Sequence, residues 1–139
     1  MEQSKIQFDI PILRKFEFAE NSFIPQTNDF MLGIKIENKY KKDEKLNKAQ
    51  VILSVDIGEK SDKSPYYIGV EYSANFVWEN GIPNIDDYLN INAPALLYGY
   101  VRTLVSIVLS NTKFMRIDLP FMDFSKIVNE SKRDNNGIW

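Results

Sequence analysis

Apolar and polar residues alternate with a period of two in the first half of the chain. The longest such run spans residues 66–78, where the even positions are apolar or aromatic and the odd positions are mostly small or polar. A second run, residues 51–57, precedes it across the polar stretch 58–65. Alternation of this kind is typical of strands with one buried face, so the two runs predict an antiparallel hairpin.

A further strand is predicted upstream of this hairpin. Leu32, Ile34 and Ile36 alternate with polar or small residues, and the charged stretch 38–48 leads back to the run that begins at Val51. We therefore expect a second hairpin with a long, solvated loop. The lysines of that stretch (Lys39, Lys41, Lys42, Lys45 and Lys48) are interleaved with acidic residues, which favours a solvated turn over a phosphate site.

The N-terminal residues form another alternating run. Its apolar positions are Ile6, Phe8, Ile10, Ile12, Phe16 and Phe18. A change of phase or a bulge is expected around Leu13 and Arg14. Pro11 cannot donate a ladder hydrogen bond, so this strand is expected at a sheet edge or with its proline at an unpaired position.

The second half of the chain changes to a helical period. A long helix is predicted over residues 93–111, with Asn92 as its N-cap and Pro94 in its first turn. Its small and polar residues make only one narrow stripe, so more than one side must be covered. A membrane span is not expected, because the segment is short and carries Arg102 near its centre.

One face of this helix can pack on the sheet, and another subunit must cover the other. We expect the same helix of a second copy to do so, which predicts a homo-oligomer. The predicted contact residues are Tyr100, Leu104, Ile107 and Val108. After an extended connector, a weaker helix is predicted over residues 124–132. The predicted fold is thus a single α+β domain over residues 1–139, with its sheet over about residues 5–79.

Composition narrows the possible functions. The 139 residues include 17 Lys and Arg against 19 Asp and Glu, a net charge of -2, with no Cys and no His. Disulfides, thiolate metal sites and Ser-His or Cys nucleophiles are therefore excluded. The near-neutral balance argues against nucleic-acid binding. We expect no metal and no cofactor, and the N-terminus lacks the pattern of a secretory signal, which predicts a cytoplasmic protein.

A small enzyme built on Asp86, Asp87 and Tyr88 is an alternative, but no partner for acid-base chemistry is apparent in the sequence. A binding protein is the better class. Apolar residues in excess of the core pattern indicate a grooved surface for apolar segments. They are Phe23, Ile24, Phe30, Met31, Tyr67, Val77, Phe121, Met122 and Phe124.

The order of segments resembles that of SecB-like chaperones. The residues that carry the resemblance are Asn92, Pro94, Leu96, Leu97, Tyr100 and Arg102, which match the family pattern N-x-P-x-I/L-L/F-x-x-Y-x-R at the start of the long helix. The run from Phe114 to Leu119, followed by residues 120–124, is similar to the family's F-P-x-L-x-L-x-P-V-N-F. Asp29 and Phe30 match its Asp-Trp step less closely.

The resemblance implies a four-stranded antiparallel sheet, a long helix and a short second helix. It also implies an ATP-independent holdase for unfolded or non-native polypeptides, assembled as a homotetramer from paired dimers. Carried over by position, the client-binding residues are Phe30, Ile34, Ile36, Phe124, Ile127 and Val128.

The resemblance leaves the clients open. Export-type members present an acidic first strand to SecA, whereas this strand carries Arg14 and Lys15 beside Glu17, which argues against docking to SecA. Other SecB-like proteins are dedicated chaperones of antitoxins in toxin-antitoxin systems or serve other restricted clients. A role in protein export, a general holdase and a dedicated partner-binding module all fit the sequence.

Overall fold

The computed structural model describes residues 5–22, 32–114, 119 and 122–125. Its strands are β1 (Ile6–Phe8), β2 (Ile12–Glu20), β3 (Ile34–Asp43), β4 (Lys48–Gly58) and β5 (Tyr66–Trp78). A continuous helical stretch follows, made of a single turn α1 (Ile85–Asp87), a π-helical turn (Tyr88–Asn92) and the long helix α2 (Ala93–Leu109). This arrangement confirms the predicted α+β class.

The strands form one antiparallel sheet in the order β1-β5-β4-β3, with β2 also paired to β5. Ile6 lies opposite Trp78 and Phe16 opposite Val70, so β1 and β2 share one edge of β5. The sheet therefore has five strands, whereas the resemblance implies four, because β1 and β2 share one position beside β5. Between β1 and β2 the Asp9 carboxylate accepts the backbone N–H of Asn75 at 2.7 Å, where a regular ladder would use a carbonyl.

The predicted irregularity of the N-terminal strand is present. Pairing with β5 shifts between Leu13 and Lys15, which leaves Arg14 in a bulge. The Arg14 side chain donates from Nε to Ser73 Oγ at 2.7 Å. The strand is also at the sheet edge, as Pro11 predicted.

The hairpin of β3 and β4 differs from its prediction. The long solvated loop is wrong, because β3 continues to Asp43 and only residues 44–47 connect it to β4. The lysines of β3 are compatible with an edge strand, because their charged side chains extend into solvent and do not prevent backbone pairing. The short turn places Asn47 at a φ of 49°, and Asp43 Oδ1 accepts the N–H groups of Lys45 and Leu46.

The core lies between α2 and the inner face of β4 and β5. The fully buried side chains include Leu53, Ile57, Ile68, Phe76, Leu97, Val101, Val105 and Leu109. The helical stretch Ile85–Leu109 has the length and composition of a membrane span. In this fold, its sheet-facing row is instead covered by the protein's own strands.

The outer face of β5 is more covered than its pattern predicts. The Tyr67 ring lies across Gly69, where a Cβ atom would meet the Tyr67 hydroxyl at 2.5 Å. That hydroxyl donates to Asp56 Oδ1 at 2.7 Å. Tyr67 is therefore buried on a face that the alternation assigns mostly to solvent.

The start of the long helix also differs. Asn92 has a helical backbone and its side chain caps nothing, because helical structure already begins at Ile85. The prediction that Asn92 is an N-cap is wrong. Pro94 does lie in the first turn of α2, as predicted.

Candidate functional site

Helix α2 presents apolar side chains to two directions. One row packs on the sheet and is buried, with Leu97, Val101 and Val105 at its centre. A second row is only partly covered by the sheet, and there Tyr100 is 42% exposed and Ile107 is 56% exposed. Leu104 and Val108 lie between the rows and are half-buried. The predicted oligomer residues therefore form one continuous flank of the helix.

A groove of about 340 Å³ runs along this flank. The Tyr72 and Tyr100 rings meet at its floor with centroids 5.9 Å apart. Burial raises the pKa of Tyr72, with a smaller electrostatic contribution from the neighbouring Tyr100 ring. The groove is lined by Tyr72, Leu96, Gly99, Tyr100, Thr103, Leu104 and Ile107.

The apolar surface continues from this groove onto the edge strand. Leu13 lies opposite Tyr72 in the sheet, and Phe16 lies opposite Val70. Both side chains are exposed, at 42% and 38%. We call the combined patch of Leu13, Phe16, Tyr72, Tyr100, Leu104 and Ile107 the flank patch. The other flank of α2 is polar or small, with Ala95 and Arg102 exposed.

The structure places three of the six predicted client-binding residues. Ile34 and Ile36 lie on the inner face of the edge strand β3, opposite Ile57 and Val55. Ile34 is 37% exposed and Ile36 is half-buried. Phe124 is only 3% exposed, and its ring meets Tyr98 of α2 edge-on with centroids 5.8 Å apart. Phe30, Ile127 and Val128 lie outside the described residues, as do Phe23, Ile24, Met31 and Phe121 of the apolar excess.

An aromatic cluster, formed by Phe18, Tyr66 and Phe114, lies at one end of the sheet. The Tyr66 ring is 6.1 Å from that of Phe18 and 4.8 Å from that of Phe114. The Tyr66 hydroxyl is buried and has no hydrogen-bond partner among the residues that the structure describes, and burial raises its pKa. No local sequence pattern predicts this cluster, because Phe114 follows α2 and reaches the sheet only through the tertiary fold.

Asp86, the first member of the acidic pair with Asp87, has a structural role. Lys42 Nζ donates to both carboxylate oxygens of Asp86, at 3.0 and 3.1 Å, and the Tyr40 hydroxyl donates to Oδ1 at 2.9 Å. The bond from Lys42 lowers the pKa of Asp86, with a smaller contribution from Tyr40. These contacts join α1 to β3. In the described part of the chain, no group of three metal-ligating side chains lies together.

The chain is similar to known proteins in both sequence and fold. A family model described as preprotein translocase subunit SecB matches residues 16–135. The uncharacterized protein MJ0357 of Methanocaldococcus jannaschii is 30% identical over 138 residues, which cover 94% of this chain and 88% of that protein. The fold is similar to that of Rv1957, a SecB-like chaperone of Mycobacterium tuberculosis solved in complex with a ChAD peptide from the HigA1 antitoxin. That similarity has a TM-score of 0.69 and 14% identity, and covers 85% of this chain and 91% of the other.

Proposed function

The chain belongs to the SecB family, and on that premise we propose that it is an ATP-independent holdase for unfolded or non-native polypeptides. The observation that carries this proposal is the exposed apolar surface on both sides of the sheet-helix core. Exposed apolar side chains on an otherwise well-packed domain indicate binding of other chains. Burial of apolar surface is non-directional, which suits a protein with many clients.

Assembly is the first use of this surface. We infer that the flank patch, together with the predicted contact residue Val108, pairs with copies of itself in a homotetramer built from two dimers. A single chain leaves Tyr100 and Ile107 exposed beside Leu13 and Phe16 of the edge strand. An isologous contact would bury this patch on both partners at once. The assembled protein is expected to act in the cytoplasm.

The client groove is a separate part of the proposal. Ile34 and Ile36 lie on β3, at the opposite edge of the sheet from the edge that carries Leu13 and Phe16. We infer that Ile34, Ile36 and Phe30 bind apolar client segments, with Ile127 and Val128 opposite them. Phe124 is buried against Tyr98, so its contribution would be to hold the C-terminal segment in place.

The direct test is suppression of client aggregation. Several unrelated proteins are unfolded, diluted and mixed with stoichiometric amounts of the oligomer, without nucleotide, and light scattering is followed. We expect scattering to fall for every client. Unchanged scattering for all of them would overturn the general holdase.

A dedicated chaperone is the second candidate. Its support is the complex of the structurally similar Rv1957 with an antitoxin peptide. A chaperone of this kind would protect a single partner and leave unrelated unfolded proteins unprotected. The genes next to that of the chain provide the partner to test, and a toxin-antitoxin pair there would favour this candidate. Co-expression with and without the chain would then show whether the antitoxin depends on it for solubility.

A further inference from the structure

The strand β3 carries a dense set of lysines that the proposed client groove does not use. Residues 35–48 contain six lysines and three acidic residues, in a chain whose net charge is -2. The sequence pattern favours a solvated turn for them, whereas the structure places Lys39 and Lys41 inside a strand. Strand geometry points Lys39 and Lys41 to the same face of the sheet.

That face is the outer one, opposite to α2. Lys41 lies beside Gln50, which lies beside Asn75, and Lys48 lies beside Val77. A shallow trough of about 890 Å³ follows these two cross-strand rows. Its charged lining consists of four lysines and two carboxylates: Lys41, Lys42, Lys45, Lys48, Asp43 and Glu44. We call it the basic trough.

The acidic groups around the basic trough are already engaged. Asp43 caps the turn, Glu44 pairs with Lys42 at 3.1 Å, and the Asp9 carboxylate accepts from the Asn75 side chain at 2.9 Å. Lys41, Lys45 and Lys48 make no ion pair with any residue in the described ranges. Three ammonium groups thus face solvent at one end of the sheet.

We propose that the basic trough docks an acidic segment of another polypeptide, one that also carries apolar side chains. Charge complementarity to Lys41, Lys45 and Lys48 is the first argument. The second is that Val77 is 45% exposed in the trough and Leu46 is 61% exposed at the adjacent turn. Apolar side chains beside the cations fit a polypeptide better than a phosphate backbone, which rewards a wider basic surface.

This surface is distinct from the client groove of the proposed function. Lys41 and Lys48 point to the outer face of the sheet, whereas Ile34 and Ile36 point to the inner face. A partner in the basic trough would therefore leave the groove open. The oligomer could hold an unfolded client and an acidic partner at the same time.

The test uses the full-length oligomer and a fluorescent peptide that alternates Glu and Leu. The variant Lys41→Gln/Lys48→Gln neutralises the trough, and Lys35→Gln/Lys63→Gln removes the same charge elsewhere. We expect the trough variant to bind the peptide about tenfold more weakly, and the control variant to change affinity by less than about twofold. A counterpart peptide with Gln in place of Glu should bind both variants and the unmodified protein equally.

Other outcomes would overturn the proposal. Equal losses in the two variants would mean a general charge effect. Equal affinities for the Glu and Gln peptides would show that the trough does not recognise acidic side chains. Tighter binding of a single-stranded oligonucleotide through the same lysines would assign the trough to nucleic acid. The variant Ile34→Ser separates this result from the holdase proposal, since it should leave the Lys-dependent part of peptide binding intact. Circular dichroism confirms that all variants are folded.

Discussion

Asn38 of β3 donates from Nδ2 to the backbone carbonyl of Leu89 at 3.1 Å. The π-helical turn makes this bond necessary, because the Ala93 N–H donates to Tyr88 and no longer to Leu89. The next candidate donor is Pro94, which has no N–H. Leu89 is fully buried, so its carbonyl has no water to bond. The edge strand thus supplies the hydrogen bond that the helix cannot make.

Removing this donor should destabilise the protein. Asn38→Ala is expected to lower the free energy of unfolding by about 1–3 kcal/mol, the cost of an unpaired buried carbonyl. In a Pro94→Ala background the new N–H can reach Leu89, so the same substitution should cost about 1 kcal/mol less. Urea unfolding of the four proteins measures this coupling. Asn92→Ala is the control, since its side chain caps nothing and should change stability by less than about 0.5 kcal/mol. Additive effects would contradict the relationship.

The oligomer can be tested at Ile107. This side chain is exposed in the single chain, so Ile107→Asp leaves the core intact. At a helix-to-helix contact it would bury an unpaired charge, which is costly. We expect the mass measured by light scattering to fall below that of the unmodified oligomer. Ala95→Asp adds the same charge to the polar flank of α2 and should leave the mass unchanged. An unchanged mass for both variants would place the contact elsewhere.

The client groove can be tested at Ile34. Ile34→Ser should weaken binding of an unfolded client by about tenfold, because one buried aliphatic side chain is worth about 1.5–3 kcal/mol when fully covered. The matched control is Ile10→Ser, which removes an 80% exposed isoleucine from the opposite edge of the sheet. Fluorescence anisotropy of a labelled unfolded protein gives both affinities. Equal affinities of the two variants would remove Ile34 from the groove.

Phe124 should behave as a core residue. It is 3% exposed and packs on Tyr98, so Phe124→Ala is expected to destabilise the protein by about 3–5 kcal/mol. Phe124→Leu keeps most of the apolar volume and should cost clearly less. Chemical unfolding followed by tyrosine and tryptophan fluorescence distinguishes the two. If both variants were as stable as the unmodified protein while client binding fell, Phe124 would belong to the groove.

Alternation predicts β4 and β5 because each of these strands packs one face against α2. It predicts the β4-β5 hairpin and the bulge near Arg14, where local pattern and pairing agree. It fails for residues 39–43, since an edge strand of mostly charged residues resembles a loop in composition. The hydrogen-bonded pairing with β4 makes this segment a strand, and such pairing is not a local property of the sequence.

The prediction of where the helical stretch begins fails for a similar reason. Asn before Ala-Pro is a good capping pattern, but Leu89 is buried in the core, and the turn that contains it continues the helical stretch on the N-terminal side of Asn92. Tertiary contacts from β3, made by Asn38 and Tyr40, then hold that turn. The candidate site likewise has one part that the local sequence predicts and one part that only the tertiary fold creates. The outward flank of α2 can be read from helical spacing, whereas the aromatic cluster of Phe18 and Phe114 joins distant segments.

The pH dependence of stability should reveal the Tyr67 contact. The hydrogen bond to Asp56 raises the pKa of Tyr67 from 10.0 to about 12, with burial and the charges of Asp56 and Glu17 adding to it. A raised pKa means that the folded state favours the neutral phenol. This contribution to stability is fully present below pH 10 and is lost as the pH rises through about 12.

The difference in free energy of unfolding between the unmodified protein and Tyr67→Phe should therefore shrink between pH 10 and about 12. The difference in tyrosinate absorbance between the two proteins gives the titration of Tyr67 itself. Asp56→Asn removes the charge that the phenolate would face, so it should move this titration back toward 10.0. A Tyr67 step already at 10.0 in the unmodified protein would mean that the phenol does not donate to Asp56 in solution.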